Sequence, residues 1–214
     1  MRQVLGDALR PGGLELTREA VELCGFPAGA RLLDLGCGPG ATLEYLLAQG
    51  YAAQGVEQSP IFIEEASRRG PVLYADFHRL PLPDRYADGI LCECSLSLAA
   101  DKAVVLRECR RTLKEGGRLI VSDLFRKNSQ ARAIGGCAAG AVTMDELATL
   151  MKTAGFIVLA QRDYGEALKV LAARLIWHFG SAEKISELWS AHGACRPGRD
   201  FTYALLIAGK ASHD

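Results

Sequence analysis

Residues 32–40 read Leu-Leu-Asp-Leu-Gly-Cys-Gly-Pro-Gly, and this stretch carries the strongest structural signal in the chain. It predicts a buried strand that breaks at three alternating glycines, Gly36, Gly38 and Gly40, and continues into a helix. Because glycines leave no side chains on the turn, a ligand can lie directly against the backbone N–H groups at the start of that helix. Asp34 places a carboxylate inside the apolar strand, where burial is costly unless a cationic or hydrogen-bonding group meets it. The stretch therefore predicts a nucleotide-type cofactor site with a place for positive charge.

Strands and helices alternate through the first two thirds of the chain. The pattern predicts strands at 31–35, 52–56, 72–75, 89–92 and 118–122, and helices at 14–24, 41–49, 60–70 and 102–113. This alternation with short connections is typical of an α/β fold, in which helices cover both faces of a parallel sheet.

The last third departs from that alternation. Thr143 and Glu146 form a capping box, which marks the start of a helix. The elements predicted there are, in order, a helix at 144–154, a strand at 156–162, helices at 166–179 and 182–191, and a final strand at 201–208. We therefore predict a single domain over residues 1–214, with a helical insertion at 165–195 before the last strand.

Composition limits the partners and the compartment. The 214 residues carry 25 Lys and Arg against 25 Asp and Glu, and a formal net charge of zero favours neither nucleic acid nor an anionic membrane. No apolar run approaches membrane-spanning length, and the first ten residues are polar, unlike a secretory signal. Seven cysteines, an odd number, indicate reduced thiols rather than a disulfide framework. We expect a cytoplasmic protein without a nucleic-acid or membrane partner, and the sequence predicts no oligomeric state.

Acidic side chains follow the predicted strands at the sheet edge where open α/β sheets bind ligands. Glu57 lies 21 residues after Gly36, the spacing at which a carboxylate accepts both ribose hydroxyls. Asp76 can take the amino group of an adenine, and Phe77 can cover a ring face. Besides the three glycines, the predicted cofactor-binding residues are Asp34, Cys37, Glu57, Gln58, Asp76, Phe77 and Glu93.

Two cofactor classes compete for such a site. A nicotinamide enzyme uses Gly-x-Gly-x-x-Gly, whereas this chain has Gly-x-Gly-x-Gly preceded by Asp34. A buried carboxylate there repels a pyrophosphate but suits an ammonium or sulfonium centre. The motif from Asp34 to Gly40, together with Leu-Lys-Glu-Gly-Gly-Arg-Leu at 113–119, resembles class I S-adenosylmethionine-dependent methyltransferases.

The resemblance covers residues 30–123 and implies a Rossmann-like, doubly wound sheet of seven mainly parallel strands with an antiparallel last strand. It implies S-adenosylmethionine as the cofactor and methyl transfer to a small-molecule acceptor. Two alternatives stay open: an NAD(P)-dependent oxidoreductase, and a protein that binds S-adenosylmethionine without catalysis.

Two cysteines point to one class of acceptor. Cys94 follows the fourth predicted strand, and Cys137 lies in a glycine-rich loop at 134–140 after the fifth. These segments are similar to those where arsenite methyltransferases carry arsenic-binding cysteines, and a soft trivalent metalloid prefers thiolates. Ordinary buried cysteines are the alternative interpretation. The predicted catalytic residues are Glu93, Cys94 and Cys137, and no resident metal is predicted.

Overall fold

The computed structural model describes residues 6–8, 10–131, 136–180 and 200–211, with the backbone alone at 136 and 137. Its strands are β1 (Arg31–Leu35), β2 (Ala52–Glu57), β3 (Val72–Tyr74), β4 (Ala87–Glu93), β5 (Leu113–Arg126), β6 (Phe156–Asp163) and β7 (Phe201–Lys210). They form one seven-stranded sheet in the order β3-β2-β1-β4-β5-β7-β6. Strands β1 to β5 pair in parallel, and β7 runs antiparallel to both β5 and β6. The predicted sheet, with its antiparallel last strand, is confirmed.

Helices cover both faces of this sheet. They are α1 (Gly13–Cys24), α2 (Ala41–Ala48), α3 (Pro60–Ala66), α4 (Lys102–Thr112), α5 (Gly136–Ala139), α6 (Met144–Thr153) and α7 (Gly165–Phe179), with short 3-10 helices at Gly6–Ala8 and Leu96–Leu98. None of the helices in the described part of the chain has the length and apolar character that crossing a bilayer requires.

Alternating side chains of the central strands divide the core into two apolar layers. In β1, Leu33 and Leu35 pack with α4 and α6, whereas Leu32 packs with α1 and α2 on the opposite face. This two-residue period follows from the pleat of a strand, since successive side chains point to opposite faces. A strand buried on both faces reads as a continuous apolar run, which makes the single carboxylate at Asp34 exceptional.

Two sequence predictions differ from the structure or fall outside it. The connection between the predicted helix at 102–113 and the predicted strand at 118–122 lies within β5, because Leu113 already pairs with Ala87 and the register shifts before Gly89 pairs with Arg118. Helix α7 confirms the first helix of the predicted insertion, while the second, at 182–191, lies outside the described residues. The single-domain interpretation of residues 1–214 stays a prediction.

The glycine turn between β1 and α2 is closed by backbone contacts. The N–H groups of Gly36 and Cys37 donate to Val56 O at 2.8 and 3.1 Å, which ties the turn to β2. Gly36 has φ +73°, and a Cβ there would lie 2.6 Å from Ser95 Cβ. Conformation and space thus both require glycine at this position.

We predict that Gly36→Ala destabilises the protein more than Gly50→Ala. Both glycines have a left-handed backbone conformation, but a Cβ at Gly50 (φ +82°) would meet nothing within 4 Å. The control should lose about 1 kcal/mol to backbone strain, and Gly36→Ala roughly 1–3 kcal/mol more from overpacking. Urea unfolding measures both losses, and equal losses would contradict the close approach to Ser95.

Candidate functional site

A cavity of about 350 Å³ opens at the carboxyl ends of β1, β2 and β4. The residues of its wall that the sequence predicts are Asp34, Gly36, Cys37, Gly38, Glu57, Gln58, Phe77, Glu93 and Cys94. Gly40 and Asp76 lie outside this wall. Gly40 instead allows α3 to pack closely against the turn, since a Cβ at this position would lie 3.0 Å from Ala66 Cα. The structure therefore brings together most of the predicted cofactor residues.

Glu57 connects the two loops at the rim of the cavity. Its carboxylate accepts hydrogen bonds from the backbone N–H groups of Gly38 (2.9 Å), Gln58 (2.9 Å) and Ser59 (2.8 Å). These contacts hold the glycine turn against the end of β2. A carboxylate oxygen has more than one lone pair, so these bonds are compatible with the predicted ribose contact.

Asp34 is the buried carboxylate of the wall. It is 2% exposed, and its Oδ2 has no hydrogen-bond partner among the described residues. Burial raises its pKa to about 8, the Glu93 carboxylate adds to the shift, and the Arg10 guanidinium opposes it. An unpaired buried acceptor is costly, so the site fits a ligand that brings a cationic donor.

Glu93, at the end of β4, is a fully partnered carboxylate. Its Oε2 lies 2.8 Å from Arg10 Nη2. Thr17 Oγ1 donates to Oε1 at 2.9 Å, and Thr42 Oγ1 donates to Oε2 at 2.7 Å. A carboxylate whose oxygens already accept from a guanidinium and two hydroxyl groups is suited to orienting its neighbours and poorly suited to abstracting a proton. Its predicted catalytic role stays a prediction.

Arg10, Thr17 and Thr42 are site residues that sequence reasoning missed. No local motif marks them, because Arg10 lies 83 residues from its partner Glu93 and precedes the first predicted helix. Arg10 also donates to Thr42 Oγ1 at 2.9 Å, while its Nε has no partner among the described residues. The sequence carries no signal for this pair, because the burial of Arg10 is visible only in the structure.

The side chains of Asp76 and Phe77, which follow β3, lie in different surroundings. Phe77 lines the cavity, whereas the Asp76 side chain is 57% exposed. Asp76 Oδ1 accepts from His78 N at 2.8 Å and lies 2.6 Å from His78 Nδ1. These two bonds to the backbone and the ring lower the pKa of Asp76. The contact of Asp76 with an adenine stays a prediction.

Cys37 packs inside the glycine turn. A Cβ on Gly55 would lie 2.6 Å from Cys37 Sγ, so the thiol fills the space that this glycine leaves in β2. Burial raises the pKa of the Cys37 thiol, and the carboxylates of Asp34 and Glu57 add to that shift. A thiol held protonated is an apolar packing group rather than a ligand for a soft cation.

Cys94 stands in the cavity wall in a strained conformation. Its φ is +53°, and its N–H donates to Ser122 O at 2.8 Å. Its Sγ donates to Tyr203 Oη at 3.5 Å, and the Tyr203 hydroxyl donates to Ser122 O at 3.2 Å. A non-glycine residue in the left-handed region costs free energy and is most frequent at functional sites.

The segment of Cys137 lies close to the loop that follows Cys94. Residue 137 belongs to α5, and its side chain lies outside the described part of the structure. Directly after α5, Gly140 contacts Ser97, whose carbonyl oxygen would lie 1.9 Å from a Cβ at that glycine. The two cysteine-bearing loops are therefore neighbours, and a shared role for their thiols stays a prediction.

Comparisons with known proteins bear on this site. Residues 33–121 match the family model described as a methyltransferase domain. The ubiquinone biosynthesis O-methyltransferase of Xylella fastidiosa is 33% identical over 127 residues, which make up 56% of this chain and 50% of that protein. The arsenite methyltransferase of Halobacterium salinarum is 28% identical over 156 residues, 63% of this chain and 40% of that protein. The predicted resemblance to methyltransferases, with local similarity to arsenite methyltransferases, is confirmed. The chain spans half or less of the length of these two relatives.

A solved structure shares the fold over nearly the whole chain. The phosphoethanolamine N-methyltransferase 2 of Haemonchus contortus, solved with S-adenosyl-L-methionine, has a TM-score of 0.79 and 15% identity. The match covers 99% of this chain and 56% of that one. At this identity the likeness describes the fold.

We predict that Arg10→Met destabilises the protein by roughly 3–5 kcal/mol, because it leaves Glu93 as a buried charge without its partner. Adding Glu93→Gln should restore most of that loss, since the double variant buries no unpaired charge. Urea unfolding of the wild type, both single variants and the double variant completes the cycle. A loss below about 1 kcal/mol for Arg10→Met, or no recovery in the double variant, would contradict a buried ion pair.

Proposed function

Because residues 33–121 match a methyltransferase domain, we propose that this protein transfers a methyl group from S-adenosylmethionine to a small-molecule acceptor. The observation that carries the proposal is Asp34 Oδ2, which has no hydrogen-bond partner in the described part of the chain and belongs to a side chain buried beside the glycine turn. When bound, the cofactor supplies a methyl group on a positively charged sulfur. The residues of the chain bind the two reactants and orient them in line.

The charges of the wall fit this cofactor better than a dinucleotide. Asp7 pairs with Arg69, and the other charged residues that the structure describes in the wall are three carboxylates and the guanidinium of Arg10. The excess of negative charge complements a sulfonium and an ammonium, whereas it repels the pyrophosphate of NAD(P). We therefore favour a methyltransferase over the nicotinamide oxidoreductase.

Two buried atoms match the amino-acid end of the cofactor. Asp34 Oδ2 is an acceptor and Arg10 Nε is a donor, and each lacks a partner among the described residues. We assign the α-ammonium to Asp34 and the α-carboxylate to Arg10. Glu57 then binds the ribose, with Gln58 beside it, and Phe77 covers the adenine.

For the acceptor, we favour a thiol or a thiol-bound metalloid such as arsenite. Cys94 supports this choice, because its sulfur lies in the cavity wall and the segment carrying Cys137 lies near the loop that follows it. The arsenite methyltransferase relative supports it as well. A thiolate needs no base, which agrees with the full partnering of Glu93. A cytoplasmic location, where thiols stay reduced, remains part of the proposal.

A hydroxyl acceptor is the second candidate. The similarity to the ubiquinone biosynthesis O-methyltransferase of Xylella fastidiosa favours it. This candidate requires a group that takes the hydroxyl proton. Asp123 is a buried carboxylate near the end of β5. Burial raises its pKa to about 6, within the range of a general base. Its two oxygens already accept from Ser97 N and Leu124 N, so this candidate ranks second.

We predict that the affinity for S-adenosylmethionine rises with pH and depends on Asp34. Its raised pKa of about 8 means that the carboxyl is protonated below that pH, and a protonated carboxyl attracts a cation less. Affinity should rise by up to about tenfold per pH unit below the pKa and level off above it. Asp34→Asn should weaken binding about tenfold or more at pH 8 and abolish this slope.

Calorimetry across the pH range measures both effects. Asp88→Asn is the matched control, because Asp88 is an aspartate at the opposite edge of the sheet and pairs with Lys114 at 2.7 Å. Binding of S-adenosylmethionine by Asp34→Asn at wild-type affinity would overturn the assignment of the cofactor's α-ammonium to Asp34. Tighter binding of NAD than of S-adenosylmethionine would support the oxidoreductase instead.

We predict that Cys94→Ser abolishes methylation of arsenite while leaving cofactor affinity unchanged, because a serine hydroxyl does not replace a thiolate as a ligand for a soft metalloid. The assay uses a labelled methyl donor with arsenite, small thiols, phenols and carboxylates as acceptors. Cys24→Ser is the control, since Cys24 lies at the end of α1 away from the cavity wall. Turnover of a phenol by Cys94→Ser at the wild-type rate would support the hydroxyl acceptor. Cofactor binding without turnover of any acceptor would support a non-catalytic protein.

A further inference from the structure

Tyr203 is a buried residue of β7 whose hydroxyl contacts the wall of the cofactor cavity. It pairs with Leu124 of β5 and belongs to the same apolar cluster as Leu16 of α1 and Leu168 of α7. Its hydroxyl oxygen lies 3.5 Å from the sulfur of Cys94, which stands in the cavity wall. A phenol buried in an apolar cluster needs hydrogen-bond partners for its hydroxyl, so these partners indicate what Tyr203 does.

Ser122 of β5 joins Tyr203 and Cys94 into one hydrogen-bonded group. The Ser122 carbonyl oxygen accepts from Cys94 N at 2.8 Å and from the Tyr203 hydroxyl at 3.2 Å. The Ser122 hydroxyl lies 3.2 Å from Tyr203 Oη. Cys94 is therefore attached to β5 by its backbone and to β7 by its sulfur. Two contacts of this kind help to hold Cys94 in its left-handed conformation at φ +53°.

This group can pair its polar atoms in both protonation states of the thiol. With the thiol protonated, Sγ donates to Tyr203 Oη and the phenol donates to Ser122 O. When the sulfur has lost its proton, rotation of the phenol O–H lets Tyr203 donate to Sγ. Ser122 O then keeps the bond from Cys94 N, and the Ser122 hydroxyl can donate to Tyr203 Oη. Rotation of two hydroxyl groups thus avoids the cost of an unpaired buried atom.

The surroundings of Tyr203 favour its role as a donor to a charged sulfur. Burial raises the pKa of Tyr203 well above its usual value, so the hydroxyl keeps its proton. A hydrogen bond to a charged acceptor is stronger than one from a thiol, which is a weak donor. The apolar neighbours of the ring strengthen this bond, because the local dielectric constant is low. The Tyr203 hydroxyl therefore stabilises the Cys94 sulfur more after the proton has left than before.

We propose that Tyr203 is a positioning residue for the methyl acceptor: its hydroxyl orients the Cys94 sulfur and donates to it when a soft metalloid replaces the thiol proton. The inference rests on the proposed function, in which Cys94 binds arsenite. In that step the S–H bond breaks as an S–As bond forms, and the proton leaves with one hydroxyl of arsenious acid as water. The step is a substitution at arsenic and needs neither an oxidant nor a reductant.

The test is the pH dependence of the alkylation of Cys94 by iodoacetamide, followed at the peptide that carries Cys94 by mass spectrometry. The full chain is used without cofactor or acceptor. Because the thiolate is the reactive form, the midpoint of the profile reports how well the protein stabilises the charged sulfur. Tyr203→Phe keeps the buried ring and removes only the hydroxyl. We expect its midpoint about one pH unit above that of the wild type, so that alkylation below the midpoint is about tenfold slower.

Two variants serve as controls. Tyr164→Phe makes the same change at a tyrosine that packs against the same apolar cluster but is not part of the described cavity wall. Ser122→Ala removes the serine hydroxyl beside Tyr203 and leaves the contact between Tyr203 and Cys94 in place. We expect the wild-type midpoint for Tyr164→Phe and less than half of the Tyr203→Phe shift for Ser122→Ala. The charged residues of the described wall are the same in all of these proteins: Asp7, Arg10, Asp34, Glu57 and Glu93.

An unchanged midpoint in folded Tyr203→Phe, or an equal shift in Tyr164→Phe, would overturn the inference. Unfolding curves show whether each variant is folded. If Tyr203→Phe does not fold, Ser122→Ala decides. A midpoint raised by a full pH unit in that variant would overturn the inference, because its contact between Tyr203 and Cys94 is intact, and a midpoint close to that of the wild type would support it.

Methylation of arsenite from a labelled donor separates this inference from the proposed function. We expect Tyr203→Phe to lower kcat/KM for arsenite about tenfold while the affinity for S-adenosylmethionine stays unchanged. An unchanged kcat/KM would overturn the inference and leave the proposed methyl transfer standing. Failure of the wild type to methylate arsenite, with the shift in alkylation present, would overturn the proposed acceptor but not the contact of Tyr203 with the Cys94 sulfur.

Discussion

The cofactor cavity depends on one electrostatic constraint: two buried carboxylates, Asp34 and Glu93, share the single guanidinium of Arg10. Arg10 forms its ion pair with Glu93, and Asp34 keeps an oxygen without a partner among the described residues. The fold tolerates this because burial raises the pKa of Asp34 to about 8, so that the carboxyl is largely neutral until a cation arrives. A cation bound at the glycine turn would therefore give Asp34 the partner that the described residues do not supply.

The same ion pair attaches the amino-terminal segment to the sheet. Arg10 precedes α1, Thr17 lies in its first half, and Thr42 lies in α2, yet all three converge on the carboxylate at the end of β4. The segment that carries Arg10 therefore forms part of the cavity wall rather than an appendage. We infer that cofactor binding and the placement of this segment are energetically coupled, because Arg10 serves both.

The sheet and the glycine turn could be predicted from the sequence because their signals are local. A short apolar run interrupted only by Asp34 marks β1, and the glycines directly after it mark the turn, where Gly36 has a left-handed backbone. The Arg10 to Glu93 pair could not be predicted, since nothing in the chain between them encodes the contact. The side-chain partner of Asp76 was missed for another reason: a histidine two residues away competes for its carboxylate, which the strand-end position alone does not show.

The number of protons released when S-adenosylmethionine binds reports whether Asp34 receives the positive charge of the cofactor. Calorimetry at pH 7 in buffers of different ionisation enthalpy gives this number. Because burial raises the pKa of Asp34 to about 8, we expect release of close to one proton per site in the wild type and none in Asp34→Asn. Binding without proton release in the wild type, or equal release in both proteins, would contradict the claim that Asp34 receives the positive charge of the cofactor.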